Sequence, residues 1–174
     1  MLITYRNLTI RNANPGDAST LCTWWNDGSV MAHAGFPNGL NTTPEAILQD
    51  LATGDDDRSR LIIEVDGIPV GEMSYANQGD GVAEIGIKIC DAERQGQGNG
   101  PLFLKMLITT LFAGRYEKVI LDTNLKNTRA QHVYEKLGFH KLRVNHDNWR
   151  DQLGEQQSSV DYELHKSQFI PLDL

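Results

Sequence analysis

The densest chemical signal in the chain is Gln95-Gly96-Gln97-Gly98-Asn99-Gly100, with glycines at 96, 98 and 100. Backbone without side chains lets an anion approach closely, and glycine reaches left-handed conformations at little cost. Ala83 to Ile89 just before it reads as a strand, and Pro101 to Phe112 just after it reads as a helix. A strand, a glycine-rich turn and a helix in that order aim free N–H groups at one point, which suits a phosphate. The loop is not a Walker loop, because no Lys-Ser or Lys-Thr follows the last glycine. Nor is it the dinucleotide fingerprint: one residue, not two, separates its second and third glycines. A nucleotide-dependent phosphotransferase also lacks an evident metal-binding carboxylate pair.

One predicted strand later comes Asn127-Thr128-Arg129-Ala130-Gln131-His132-Val133-Tyr134-Glu135-Lys136-Leu137-Gly138-Phe139. The Gln-x-x-Gly-x-Gly loop and this segment, in that order, resemble the GNAT family of acetyl-CoA-dependent N-acetyltransferases. The resemblance spans roughly residues 8 to 165, one domain in length. The Trp25-Asn26-Asp27 segment and the stretch from Trp149 to Tyr162 resemble the ribosomal-protein N-terminal acetyltransferase-like branch, which also holds antibiotic- and polyamine-modifying enzymes.

What the resemblance implies can be set out by task. Acetyl-CoA would be the cosubstrate, with no metal. The N–H groups of Gln97, Gly98, Asn99 and Gly100 would hold its pyrophosphate, with Gln95 and Gly96 leading in. Asn127 would meet the pantetheine arm. Arg94, Lys126 and Arg129 are the cations for its outer phosphate. Asn99 stands where the family usually has an apolar residue, and Pro101 removes a donor that the family usually offers. Tyr134 would protonate the departing thiolate. The oxyanion donor would be the N–H of Ile87, or of Ile89 in the other register, at a bulge that Gly86 permits.

An alkylammonium has a pKa of about 10, so the acceptor amine must lose a proton. Glu84 and Glu72 are compared as the base; Glu84 comes first and Asp161 third. The acceptor pocket is expected between Trp24–Asn41 and the 145–157 connection, lined by Trp25, Phe36 and Trp149, with Trp24 in the core. The acceptor is a small molecule or a protein N-terminus, attacked directly in a ternary complex. The alternative is a non-catalytic acyl-CoA-binding regulator of the same fold. The family also allows a homodimer.

Sixteen lysines and arginines against 23 acids give a net charge of −7. That balance disfavours nucleic acid and anionic membranes as partners and suits a cationic acceptor. Cys22 and Cys90 match no metal or redox spacing and read as small buried residues. The five histidines show no metal spacing. With no apolar run of signal or spanning length, the cytoplasm is the expected compartment.

The scaffold expected from the pattern is one domain over residues 1–174. It is α/β (α+β in some schemes), a central mixed twisted sheet with helices on both faces. Leu8–Ala13 alternates as a strand. Asp17 caps a helix from Ala18 to about Asn26. Residues 27–41 are irregular. A helix begins at Thr42 with Glu45 as a capping box, or at Thr43 with Pro44 first inside, and stops at Gly54. Asp55–Arg58 is a solvated connection. Leu61–Val65 and Val70–Tyr75 form a hairpin on Asp66-Gly67. Lys118–Asp122 is a buried strand, Gly138 ends the helix after Asn127, Phe139–Val144 and Ser159–His165 are strands, and Asn145–Gln157 is a long polar connection.

Overall fold

The computed structural model describes residues 1–53 and 57–174. The predicted stop at Gly54 and the Asp55-Asp56 part of the acidic connection lie outside them. One eight-stranded sheet runs in the order β1-β2-β3-β4-β5-β6-β8-β7. Its strands are β1 Leu2–Tyr5, β2 Leu8–Asn12, β3 Arg58–Val65, β4 Ile68–Asn77, β5 Val82–Ile89, β6 Lys118–Asn124, β7 His140–Arg150 and β8 Gln156–His165. The helices are α1 Ala18–Asn26, α2 Gly28–Met31, α3 Pro44–Ala52, α4 Asn99–Ala113 and α5 Thr128–Lys136.

Alternation on β3 shows how the two faces are filled. Leu61 and Ile63 are fully buried in the core beneath α4, whose Phe103, Met106, Leu107 and Ile108 are also inaccessible. Ile62 points the other way and is fully buried with Leu21 and Trp25 of α1 and Ile47 of α3. Each such side chain contributes roughly 2 kcal/mol of burial energy. α4 and α5 thus cover one face and α1 to α3 the other.

Local chemistry sets the ends. Asp66 (φ 55°) and Gly67 (φ 74°) take the two positive values of a type I′ turn, as the Asp-Gly pair predicts. Thr43 accepts from Ala46 N and Pro44 opens α3, so the second of the two starts is the one formed. Gly138 (φ 96°) follows Leu137, the C-cap of α5, in the left-handed region.

Four expectations change. β1 was not anticipated; four residues are too short a run to carry a strand pattern. Asp17 does not cap α1. Asn14 caps the turn before it, accepting from Gly16 N, while Asp17 accepts from Asn14 N and pairs with Arg11 at 2.7 Å. That guanidinium holds the Asp17 carboxyl below its usual range. The stability it adds is therefore present above the ordinary Asp pKa of about 4 and is lost as pH falls through the lower folded value. Most of residues 27–34 is helical, in α2 and a 3-10 turn at Ala32–Ala34. Finally, 145–157 is mostly strand: β7 runs to Arg150 and β8 starts at Gln156, with a register shift between Asn145 and Trp149. Its polar residues hide the strand because β7 is an edge strand exposed along most of its length.

One pair of strands decides the position of the site. β5 and β6 are the parallel neighbours expected of a strand–helix–strand crossover. β6, α5 and β7 follow the same order, but β8 inserts antiparallel between β6 and β7. β5 and β6 pair only from Val82↔Lys118 to Glu84↔Ile120. Both strands continue, to Ile89 and Asn124, but apart.

Candidate active site

The wedge between β5 and β6 opens a row of backbone donors. Gln78 N donates to Val82 O and Cys90 N to Val70 O, both at 2.9 Å. These bonds fix the antiparallel β4–β5 alternation: even residues of β5 bond to β4, so the N–H groups of Ile85, Ile87 and Ile89 point away from it. Beyond Glu84, β6 is no longer alongside to accept them. The expected bulge at Gly86 is absent. The β4–β5 register runs unbroken from Gly71↔Ile89 to Asn77↔Ala83, and the splay comes from β6 turning away.

The glycine loop lies at the open end of this wedge. Asp91 accepts from Glu93 N at 2.9 Å and starts a 3-10 turn, Ala92–Arg94. Gln95 Nε2 donates to Ile89 O at 3.0 Å, and Gln97 Nε2 to Glu93 O at 2.8 Å. Both glutamine side chains therefore brace the loop from within. Gly96 (φ 79°) and Gly98 (φ 82°) take left-handed backbone. α4 starts at Asn99, two residues before the predicted start, with Gly98 as an N-cap that makes no side-chain bond. Pro101 is then the third helical residue, where the N–H it lacks would have had no partner within the helix. Among the described residues, no side chain or loop carbonyl accepts from the N–H groups of 96 to 100. A Cβ added at Gly98 or Gly100 would meet nothing within 4 Å.

A cavity of about 1110 Å³ joins loop and wedge. β5 from Ile85 to Ile89, the loop, Leu104 of α4 and the end of β6 form its walls, with Asn127, Arg129 and Tyr134 of the α5 segment. Arg94 and Lys126 line it too, and the Arg129 guanidinium comes within 3.4 Å of the Cβ position at Gly96. Asn127 Oδ1 caps α5 by accepting from Ala130 N, which leaves its Nδ2 free to donate. The donor set fits a pyrophosphate: neutral N–H groups at the loop, cations at the rim, and open space where a side chain would block approach.

Tyr134 is buried, with its ring against Phe139 and Tyr162 at centroid distances of 5.9 and 5.7 Å. Burial first, and the charge of Asp122 second, push its phenol up to about 12. It is therefore protonated at neutral pH. Burial likewise raises the Cys90 thiol to about 12, which excludes it as a nucleophile. Cys22 is half-buried, less enclosed than expected.

The acceptor-side residues separate. Trp149 lines the cavity with Ser29, Val30 and His33, and its ring packs on Gly35, where a Cβ would lie 2.5 Å from Cζ3. Gln152 N donates to Gly35 O at 2.8 Å, and Gln152 Nε2 to Gly39 O at 3.0 Å. The 28–39 stretch and the β7–β8 tip thus meet as expected. Trp25 does not reach the cavity. It is buried under α1, donates from Nε1 to Glu72 Oε1 at 2.9 Å, and carries the Arg60 guanidinium 4.4 Å above its ring. Trp24, expected in the core, is half-buried against the same α1 cluster. Phe36 is partly exposed and lines neither cavity.

The carboxylates separate as well. Both oxygens of Glu72 are occupied: Oε1 accepts from Trp25 and Lys88 (3.2 Å), and Oε2 from Arg60 (2.9 Å). It lines neither cavity. Removing it would leave two cations facing each other, so Glu72→Ala is expected to cost roughly 3 kcal/mol after allowing for partial solvent screening. That corresponds to a loss of about 6–12 °C in the unfolding midpoint, read by calorimetry. Glu84 accepts from Gln78 and lines a second, smaller cleft. Asp161 is held by Arg143 at 2.6 Å.

Asp122, not singled out from the sequence, lines both cavities. Its signal was alternation: Val119 and Leu121 face the α4–α5 core, so Ile120 and Asp122 face the other way. That it then stands beside Glu84 depends on β6 lying next to β5.

Fold and site together define an α/β acyl-transfer domain built on a splayed parallel strand pair and a helix-terminal anion loop. A family model described as an acetyltransferase (GNAT) domain matches residues 7–140, and the chain belongs to that family: it is an acetyltransferase. No curated protein sequence matches it. Among solved structures, a spermidine N-acetyltransferase from Vibrio cholerae, in complex with CoA and spermine, superposes with a TM-score of 0.82. It is 21% identical, and the match covers 93% of this chain and 97% of that one. The ribosomal L7/L12 alpha-N-protein acetyltransferase RimL, in complex with CoA, gives 0.84 at 16% identity, over 95% and 98% of the two chains. At these identities the likeness is one of fold.

Proposed function

We propose that the protein transfers the acetyl group of acetyl-CoA to a primary amine, of a small molecule or a protein N-terminus, by direct attack in a ternary complex. The observation that carries this reading is the wedge. It leaves the N–H groups of Ile87 and Ile89 free of β6 in the cavity that the glycine loop and Tyr134 also line. Acetyl-CoA would supply an activated acyl thioester. The N–H groups of Gln97 to Gly100 bind its pyrophosphate, Arg129 and Lys126 offset further phosphate charge, and Asn127 Nδ2 donates to the amide arm. The N–H of Ile87, or of Ile89, stabilises negative charge on the carbonyl oxygen. Tyr134, kept protonated by burial, gives its proton to the departing sulfur. Trp149 walls the large cavity beside residues 29–34. Glu72, tied to Arg60 and Lys88 outside the cavity, has a structural role here. The cytoplasm fits two unpaired cysteines.

Calorimetric titration with acetyl-CoA, followed by thiol release across amines and N-terminal peptides, tests the reading. Saturable binding and amine-dependent thiol release are expected. Binding without release from any acceptor would favour a non-catalytic acyl-CoA binder, and no binding would remove the loop assignment.

A further inference from the structure

The large cavity has one carboxylate among its described walls, Asp122. The smaller cleft, about 510 Å³, lies between the end of α3 and the β3–β5 face, and shares Ile85, Gly86 and Asp122 with the large one. Two openings therefore adjoin along Ile85, Gly86 and a single carboxylate, Asp122. Glu84 lines only the smaller cleft. Asp161, opposite Asp122 across β6 and β8, is taken by Arg143 and Asn145. Among the described residues no side chain bonds to Asp122. The groups beside it are Glu84 from β5 and Asp161 from β8; Tyr134 from α5 feels its charge from the other face of the sheet, and Lys88 and His33 line the same cavity. Its side chain is solvent-accessible, yet partial desolvation where the cavities adjoin, then the charges of Glu84 and of Asp161, raise its carboxyl above the ordinary range, which makes it a stronger base.

Resting on the acetyltransferase reading, we propose that Asp122 takes the proton of the acceptor ammonium, which arrives through the smaller cleft. Glu84 gives that cleft its negative wall, together with Asp50, which lies 3.5 Å from Arg60. Of its two arginines, Arg60 is engaged by Glu72 and Asp50 and stacked on Trp25, and Arg58 is exposed. One N–H bond of the ammonium breaks, its electron pair stays on nitrogen, and the proton passes to an oxygen of Asp122. The neutral amine attacks the thioester carbon. The C–N bond forms, the C–S bond breaks and the sulfur takes the Tyr134 proton. The second proton leaving nitrogen restores Tyr134 through water, and Asp122 returns its own to solvent. One proton is released per acetyl group moved.

The test compares Asp122→Asn with the wild type in thiol release over pH 6–10, beside acetyl-CoA affinity by calorimetry. Expected is a loss of about tenfold or more at pH 7, with affinity within about twofold. The deficit should shrink toward pH 10, where about half of the amine is already neutral. Because the carboxyl is raised in the fold, its ionisation opposes folding at neutral pH. The variant should therefore unfold at an equal or higher temperature, a difference that fades below a pH of about 4. Wild-type turnover in the variant, or a deficit equal at every pH, overturns the role. Ala76→Phe, opposite Glu84 on β4, should raise the KM for the amine about tenfold with kcat kept; an unchanged KM overturns the route. A wild type that acetylates no amine overturns the acetyltransferase reading itself, which separates the two failures.

Discussion

Gly98→Val is expected to lower acetyl-CoA affinity about a hundredfold while the protein stays folded. Two effects act together. Gly98 sits at φ 82°, a conformation that a β-branched residue adopts only with strain. Its side chain would also project into space that is open now, with nothing within 4 Å of the Cβ, beside the donors at Asn99 and Gly100. The strain is worth roughly 1–3 kcal/mol and need not unfold a domain of this size. The loss of approach acts on binding alone. Gly98→Ala separates the two, keeping the strain with a single methyl, and should lose about tenfold. Calorimetry with acetyl-CoA reads both variants; wild-type affinity in Gly98→Val would move the phosphate site off the loop.

Tyr134→Phe is expected to lower turnover about a hundredfold, the lower part of what a positioned acid contributes, since a thiolate needs less help than an alkoxide. Acetyl-CoA affinity should stay within about twofold, because the ring contacts with Phe139 and Tyr162 survive the loss of the hydroxyl. Burial and Asp122 hold the phenol at about 12. Deprotonation of Tyr134 should therefore not limit the rate at any pH below about 11. Equal turnover of variant and wild type in thiol release would remove Tyr134 as the acid.

The cofactor half of the candidate site was legible because it is local. Gln95 to Gly100 is one loop, Asn127 to Tyr134 is one helix with its cap, and each motif folds by itself into the geometry that its glycines and cap residue require. The acceptor half was not. Trp25 and Phe36 look like pocket aromatics, yet α1 turns Trp25 under the sheet to meet Glu72, forty-seven residues away. Glu72 and Glu84 occupy similar alternating strands, and only their partners, Arg60 and Lys88 for one and Gln78 for the other, tell them apart. Trp149 was rightly placed near residues 28–39, although the stretch that carries it is a strand and not a loop.

The sequence by itself determined the element order apart from β1 and α2, the Asp66-Gly67 hairpin, a start of α3 at Thr42 or Thr43, the glycine loop before α4 and the capped helix that carries Tyr134. Each depends on backbone preferences and hydrogen bonds between residues a few positions apart. The tertiary structure alone decided that β8 inserts between β6 and β7. It also decided that β5 and β6 part after Glu84 and Ile120, and that Asp122 then stands where two cavities meet. The physical reason is that strand pairing and splay are set by burial of side chains distant in sequence. Alternation on β6 says which way Asp122 faces, but not what it faces.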